Sequence, residues 1–223
     1  MCKITSLFEY FKWIRLEKSV NEFAQDIVHY RGQGNSSWGL TPSVFRSIGR
    51  DRFYNERKLI LDAQVQCWRW LQDCQSELDQ LVKLQHFGLK TRLLDFTSNP
   101  LIALYFACCS EENSDGVVYC SFKNFSDISI AKLIVKIITN HDNSEVEILD
   151  DRLLHYAKIV GINMSNSNLL KQELSKSHII LCPYNNERIA NQNGLFAIAP
   201  LFDKNTYSFF VLMKLIFQCL SMD

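Results

Sequence analysis

The sequence lacks an excess of charge of either sign, because its 223 residues contain 24 Lys and Arg against 24 Asp and Glu. Such a balanced chain has no overall field that would draw it to a nucleic acid or to an anionic membrane. We therefore expect no strong nucleic-acid partner, and any polyanion must be bound by a local group of residues. The apolar share of 47% is enough for one sizeable core, which favours a single domain.

Metal and disulfide spacings are also missing from the eight cysteines and five histidines. No Cys-x-x-Cys or His-x-x-x-His occurs, and the only tight pair, Cys108 and Cys109, is adjacent. Zinc sites need closely spaced ligands of this kind, so the sequence predicts no metal site. The remaining cysteines lie in apolar or helical contexts without the spacing of a small disulfide-rich domain. We interpret them as buried free thiols.

Long apolar runs are absent as well. The first 18 residues contain Glu9, Lys12 and Arg15, which a secretory signal peptide would not carry in its apolar stretch. Residues 207–220 are the most apolar run, but they are shorter than the ~20 residues needed to cross a bilayer and include Lys214. We therefore expect a cytoplasmic protein with no membrane partner.

Hydrophobic periodicity in the first half predicts mainly helices. One or two amphipathic helices are expected within residues 1–28, a long central helix over 53–75 that buries Trp68 and Trp70, and another over 78–87 that Gly88 ends. Asn99 and Pro100 open a further helix. Its buried face is predicted to comprise Leu101, Leu104, Tyr105 and Ala107. Short extended segments are expected at 28–31 and 91–97.

From Gly116 onward the pattern becomes shorter and β-branched. It predicts strands at 117–122, 128–139, 146–148, 179–182 and 195–199, and helices at 153–160 and 169–174. The sequence thus favours an α+β domain in which a helix-rich first half packs on a mainly antiparallel sheet from the second half. We divide the chain into an N-terminal helical segment (1–27), a main domain (28–199), and a strand or helix that completes it (200–223).

The densest group of polar residues lies between two apolar helices, in the segment QHFGLKTRLLDFTSNPLIALYFA at 85–107. Side chains in such a short irregular passage can converge on one concavity. A structural alternative stays open for each of them. Asp95 could pair with Arg92, Thr97 or Ser98 could cap the next helix, and His86 could satisfy a buried carbonyl.

This segment, together with YRGQ at 30–33 and R-x-x-x-Q-x-G-x-F at 188–196, resembles the FRG domain family over about residues 28–199. The family takes its name from a Phe-Arg-Gly motif, which is Tyr30-Arg31-Gly32 here. The resemblance implies a bacterial or phage cytosolic domain, with phage defence as one setting, and by itself implies no activity.

The order of these motifs is similar to that of ADP-ribosyltransferases, which implies an NAD site. Arg31 would anchor a pyrophosphate or ribose, Gly32 would let a carboxamide reach the backbone, and Asp95 would stabilise an oxocarbenium-like transition state. Thr97 would hold a ribose hydroxyl, and His86 would orient the substrate. The similarity implies a catalytic set of Arg31, Asp95 and Gln192, and a nucleotide-binding set of Tyr30, Gly32, Gln33, His86, Thr91, Arg92, Thr97, Asn99 and Gly194.

Gln192 departs from the acidic residue that the late strand of those enzymes presents. A glutamine supplies no negative charge, and the nearest acid is Glu187. A packing glycine at the start of a strand is an equal interpretation of Gly194. Two hypotheses therefore remain. The protein is an NAD-dependent ADP-ribosyltransferase or NAD glycohydrolase with an unknown acceptor, or it is a non-catalytic module that binds a nucleotide or a protein in phage defence or counter-defence.

Overall fold

The computed structural model describes residues 2–21, 28–47, 52–109, 114–141, 150–182, 191–201 and 213–217. Seven strands in these ranges form one sheet, in the order β1-β7-β4-β2-β3-β6-β5. Only β1 and β7 pair in parallel, and the other neighbours are antiparallel. The strands are β1 (Cys2–Ile4), β2 (His29–Gln33), β3 (Leu93–Thr97), β4 (Gly116–Ser121), β5 (His178–Ile180), β6 (Gly194–Ile198) and β7 (Met213–Phe217).

Helices account for most of the remaining described residues. They are α1 (Leu7–Asn21), α2 (Ser43–Ser47), α3 (Arg52–Gln66), α4 (Glu77–His86), α5 (Pro100–Cys109), α6 (Ile128–Asn140), α7 (Asp150–Ile159) and α8 (Ser167–Leu174), with a 3₁₀ turn at Trp68–Trp70. The α+β class and the mainly antiparallel sheet are thereby confirmed. Three strands, β1 to β3, come from the first half of the chain, so both halves contribute to the sheet.

Local capping explains why α4 and α5 begin and end where the sequence predicts. The Ser76 hydroxyl accepts a hydrogen bond from the Asp79 amide at 3.2 Å, which starts α4, and Gly88 follows α4 with a φ of +94°. The Asn99 side chain accepts from the Leu101 amide at 2.9 Å and starts α5. These two helices carry the walls of the cavity described below.

Residues 128–139 were expected to form a strand, and that prediction is wrong, because they form α6. The Asp127 carboxylate accepts from the Ser129 amide at 2.8 Å and caps the helix. Helix α6 packs against α3, α4, α7 and α8 and buries residues on most of its circumference. A helix enclosed in this way can be built from β-branched residues, since packing outweighs local propensity. Its fully buried apolar residues are Ala131, Leu133, Ile134, Val135, Ile137 and Ile138.

The long helix predicted over 53–75 ends at Gln66, and the predicted burial of the two tryptophans that follow is wrong. Trp68 is 55% exposed and Trp70 is 64% exposed, because the helical period that would turn them inward stops before them. Arg69 lies between them, with its guanidinium carbon 5.7 Å from the centre of the Trp68 ring. The 3₁₀ turn therefore presents aromatic surface to solvent.

Helix α5 contacts the sheet through small residues and not through the larger face that the sequence predicts. Leu101 and Tyr105 are 47% and 62% exposed, whereas Ala103 and Ala107 are buried. Ala103 lies so close to β2 that a Cβ on Gly32 would come within 1.8 Å of the Ala103 carbonyl oxygen. The absence of side-chain atoms thus lets α5 lie directly on the sheet.

The other predicted strands and helices of the second half agree with the structure to within about three residues where they can be compared. The strand predicted at 146–148 and residues 22–27 lie outside the described residues. Within 207–220, β7 is a strand that pairs with both β1 and β4, which selects the strand over the terminal helix.

Three further observations apply to the described part of the chain. None of its helices has both the length and the apolar character needed to span a membrane. No group of three or more His, Cys, Asp or Glu side chains there could hold a metal ion. Its six cysteines between Cys67 and Cys182 are free thiols, of which Cys120 and Cys182 are buried while Cys108 and Cys109 are exposed, so the prediction of burial is wrong for that adjacent pair.

Candidate functional site

A cavity of about 270 Å³ opens where β2 and β3 diverge. These two strands are in register at a single pair, Tyr30 and Thr97. On their other edges, β2 pairs with β4 and β3 pairs with β6, each over five residues. The Arg31 Nη1 atom spans the divergence and donates a hydrogen bond to the Asp95 carbonyl oxygen at 2.6 Å. The gap between the strands is therefore bridged by a guanidinium and not by backbone pairs.

Seven of the predicted site residues line this cavity, although they come from three distant segments of the chain. Strand β2 contributes Tyr30, Arg31 and Gly32, helix α4 and strand β3 contribute His86, Asp95 and Thr97, and Gln192 comes from the residues just before β6. The other five predicted residues lie outside the lining. These are Gln33, Thr91, Arg92, Asn99 and Gly194.

Arg31 is the only arginine among the lining residues that the structure describes, and it has spare hydrogen-bonding capacity. Its side chain is half-buried, and its Nε atom is shielded from solvent with no hydrogen-bond partner among the described residues. Burial lowers the pKa of the guanidinium from its ordinary value, and the carboxylate of Asp95 opposes that effect. The positive charge of Arg46 lowers the pKa of Arg31 further. Arg31 thus offers an anion both charge and an unused donor.

Asp95 is the one exposed position in the otherwise buried strand β3. Its Oδ1 atom accepts a hydrogen bond from Gln85 Nε2 at 2.7 Å, and its carbonyl accepts from Arg31. The alternative that Asp95 pairs with Arg92 is therefore wrong. Among the described residues, Asp95 is the only acidic side chain in the lining, and Glu187 lies outside the described part of the chain.

Thr97 lines the cavity, but its hydroxyl forms hydrogen bonds with backbone groups of the protein. Its Oγ1 donates to the Gln192 carbonyl at 2.7 Å and accepts from the Asn99 amide at 3.0 Å. Asn99 in turn caps α5. These bonds position Gln192 and the start of α5, whose cap is Asn99 and not Thr97 or Ser98, and the ligand contacts predicted for Thr97 and Asn99 stay predictions.

Arg92 is a correction to the predicted nucleotide-binding set. Only 2% of its surface is exposed, and it forms two hydrogen bonds of 2.8 and 2.6 Å with the carboxylate of Glu56. Its third nitrogen donates to the carbonyls of Ala199 and Pro200. Arg92 immediately precedes β3 and does not line the cavity, because its side chain is held by this buried carboxylate and these two carbonyls.

Three more of the predicted site residues do not line the cavity. Thr91 is buried behind the cavity, where its hydroxyl bonds to the Gln85 side-chain oxygen. Gln33 is buried at the end of β2, and Gly194 begins β6 opposite Thr97. Gly32 does line the cavity, but the nearness of Ala103 already requires a residue without Cβ there.

The sequence analysis missed most of the apolar wall. Val82 of α4, Ile102 and Phe106 of α5, and Phe196 of β6 face the polar groups across the cavity. Helical spacing is the signal that would have found them. Val82 shares a face of α4 with Gln85 and His86, and Ile102 and Phe106 are four residues apart on α5.

Comparison with known proteins supports one part of the interpretation. Residues 26–116 match the family model of the FRG domain. No curated protein and no solved structure matches the chain. The matched stretch includes β2, α4, β3 and α5, and hence Arg31, His86 and Asp95, but not Gln192. The chain therefore carries an FRG domain, as the motifs at 30–33 and 85–107 indicate.

Proposed function

We propose that the cavity binds NAD and that the protein is an ADP-ribosyltransferase-like enzyme, cytoplasmic and of bacterial or phage origin, that acts on a separate acceptor. One observation carries the proposal. Arg31, Asp95 and Gln192, which are far apart in the sequence, line one cavity at the divergence of β2 and β3. A cation, a carboxylate and an amide around one concave site are the groups needed to bind and cleave a charged dinucleotide.

Arg31 anchors the ligand in this proposal. Its planar guanidinium matches a phosphate or the oxygens of a ribose, and its buried Nε atom has no partner among the described residues. A dinucleotide pyrophosphate bound there would neutralise a cation that burial otherwise disfavours. The cavity volume of about 270 Å³ lies just below the ~300–1,000 Å³ typical of small-molecule pockets, so it fits one end of a dinucleotide.

The nicotinamide end would lie between the apolar side chains. Ile102 and Phe106 of α5 and Phe196 of β6 form a surface suited to a flat heteroaromatic ring. Gln192, at the same cavity, would donate or accept a hydrogen bond at a ribose hydroxyl. His86 at the end of α4 would contact the exposed part of the ligand or the acceptor.

Asp95 supplies the electrostatic step. The bond between ribose C1′ and the pyridinium nitrogen breaks, its electron pair leaves with nicotinamide, and C1′ becomes oxocarbenium-like. The carboxylate stabilises this cation more than the ground state, which lowers the barrier. An acceptor nucleophile or water then bonds to C1′ and releases a proton. The reaction requires no oxidant or reductant.

A second candidate function follows from the position that Gln192 occupies. Among the described residues Asp95 is the only carboxylate in the lining, and a site with no second acid would bind NAD or a related nucleotide and leave it intact. The protein would then be a nucleotide-sensing or protein-binding module, for instance in phage defence or counter-defence. Stabilisation by NAD without turnover distinguishes this function from the first, because a ligand raises stability by binding the folded state alone.

Labelled NAD tests the proposal directly. The purified protein is incubated with adenine-labelled NAD and a bacterial lysate, and free nicotinamide and labelled macromolecules are measured. We expect nicotinamide release and a labelled acceptor. Intact NAD in the presence of thermal stabilisation supports the second function, and intact NAD without stabilisation refutes the first function and NAD as the ligand.

Matched substitutions assign the activity to the cavity. Arg31→Ala should abolish binding and turnover, and Asp95→Asn should reduce turnover more than binding. Arg69→Ala and Asp62→Asn remove the same charges from exposed side chains outside the lining and should leave both unchanged. Thermal unfolding of each variant separates loss of function from loss of fold. Equal effects of Arg31→Ala and Arg69→Ala would place the activity elsewhere.

A further inference from the structure

Gln85 connects the cavity to the protein interior through a chain of hydrogen bonds. The Leu93 amide donates to Thr91 Oγ1 at 3.2 Å, the Thr91 hydroxyl bonds to Gln85 Oε1, and Gln85 Nε2 donates to Asp95 Oδ1 at 2.7 Å. Thr91 is fully buried, whereas Asp95 faces the cavity. The chain thus runs from a buried hydroxyl to the single carboxylate of the lining.

The direction of each bond in this chain follows from the groups at its two ends. A backbone amide can only donate, so the Leu93 N–H occupies one lone pair of the Thr91 hydroxyl, and a carboxylate can only accept, so Asp95 takes an N–H of Gln85. Gln85 then presents its carbonyl oxygen to Thr91, whose hydroxyl proton completes the chain. The opposite orientation would place an amide oxygen against the carboxylate, with two acceptors facing each other. The Thr91 hydroxyl therefore supports the amide orientation in which Gln85 donates to the Asp95 carboxylate.

We propose that Gln85, oriented by Thr91, is a positioning residue that holds the Asp95 carboxylate for the ligand. This inference rests on the proposed function of Asp95. Gln85 occupies Oδ1, and Oδ2 has no hydrogen-bond partner among the described residues, which leaves it for a bound ligand. An exposed aspartate without such a bond would rotate about its side-chain torsions and spend only part of the time in the productive rotamer.

Kinetics of isosteric variants test the role of the chain. Gln85→Met keeps length and helix propensity but cannot donate, and Thr91→Val keeps shape but loses the hydroxyl. Each should lower kcat about 10- to 100-fold with a smaller change in KM, as loss of a supporting hydrogen bond or a ~1 Å misplacement does. Thr91→Ser keeps the hydroxyl and should retain kcat to within about threefold. A kcat loss in Thr91→Ser as large as that in Thr91→Val would contradict a role for the hydrogen-bond chain from Thr91 through Gln85 to Asp95.

Combined substitutions show whether the residues act as one unit. The double variant Gln85→Met/Thr91→Val should be no slower than the worse single variant, because either change breaks the same chain. In an Asp95→Asn background, neither substitution should cause a further loss. The proposal would be overturned if the kcat losses of the two single variants multiplied in the double variant. It would also be overturned if either substitution lowered kcat as much in the Asp95→Asn background as in the wild-type background. If Thr91→Val fails to fold, Gln85→Met in the two Asp95 backgrounds still decides.

A measurement without turnover separates this inference from the proposed function. In the full-length protein, the side-chain amide protons of Gln85 should exchange with water more slowly than those of exposed Gln72, and Asp95→Ala and Thr91→Val should each remove that protection. If the Gln85 amide is protected from exchange but the protein leaves NAD intact, the hydrogen-bond chain is supported and the enzymatic function fails. If the protein turns over NAD but the Gln85 amide is not protected, the enzymatic function is supported and the role of the hydrogen-bond chain is overturned.

Discussion

Gly32 offers the sharpest test of how the sheet and α5 form the cavity. An added Cβ would come within 1.8 Å of the Ala103 carbonyl oxygen and 2.9 Å of the Ala107 nitrogen, both of which belong to the helix backbone. Carbon and oxygen tolerate about 3.3 Å, so α5 would have to withdraw by roughly 1.5 Å. Overpacking costs about 1–3 kcal/mol, and a rigid helix with no side chain to rotate away places Gly32→Ala near 3 kcal/mol.

Gly39→Ala is the matched control for this substitution. The nearest atom to its added Cβ is the Thr41 hydroxyl oxygen at 3.8 Å, which is an ordinary contact, and Gly39 has no left-handed φ. Both variants lose the same backbone freedom in the unfolded state, so the difference between them measures the clash alone. Urea and thermal unfolding should show a Tm about 6–12 °C lower for Gly32→Ala than for Gly39→Ala, at ~2–4 °C per kcal/mol for a chain of this size.

The same change should weaken the candidate site, since α5 carries Ile102 and Phe106 in the cavity wall. Thermal stabilisation by NAD should therefore be smaller in Gly32→Ala than in Gly39→Ala. Gly116→Ala tests a second close contact between the sheet and α5, because its added Cβ would lie 2.1 Å from the Ala107 carbonyl oxygen. The double variant with Gly32 should cost less than the sum of the two. Equal stabilities of Gly32→Ala and Gly39→Ala would refute the close contact between α5 and the sheet.

Three further predictions concern groups outside the cavity. Arg92→Ala should cost about 3–5 kcal/mol by chemical denaturation, because it leaves the carboxylate of Glu56 buried and unpaired, and a pair of apolar replacements should cost less than either single change. Burial lowers the pKa of both His29 and His178, so the unfolded chain binds more protons and stability should fall as the pH drops below ~6.5; His29→Asn should flatten this dependence between pH 5 and 7. Trp70→Ala should change the unfolding free energy by no more than ~0.5 kcal/mol, whereas a loss of several kcal/mol would show that its indole is buried.

Elements with strong local signals were predictable from the sequence. Ser76 and Gly88 delimit α4, and Asn99 with Pro100 starts α5, because capping depends only on residues within one turn of the helix end. The strand prediction for 128–139 fails because the structure of this segment depends on distant contacts and not on local signals. Its β-branched composition suits a strand, but burial among four other helices decides in favour of α6, and that environment is not encoded within the segment.

The candidate site, too, has features that the sequence predicts and features that only the fold decides. The motif at 85–107 indicates where the polar residues are, but not which of them face one another. Asp95 lies in β3 and lines the cavity, whereas Arg92 immediately precedes β3 and pairs with the buried carboxylate of Glu56. Gln85 escaped the sequence analysis because its role depends on Thr91 and Asp95 reaching it from a different element.

The sequence by itself determined the α+β class, the FRG domain and the approximate limits of the capped helices. Only the tertiary structure decided that β2 and β3 separate after one residue pair, that α5 approaches the sheet through Gly32, and that Gln192 reaches the same cavity. The physical reason is that capping and periodicity act over a few residues. The convergence of a cation, a carboxylate and an amide depends instead on long-range strand pairing and on close helix packing, where the contacts are made between segments that no local pattern relates.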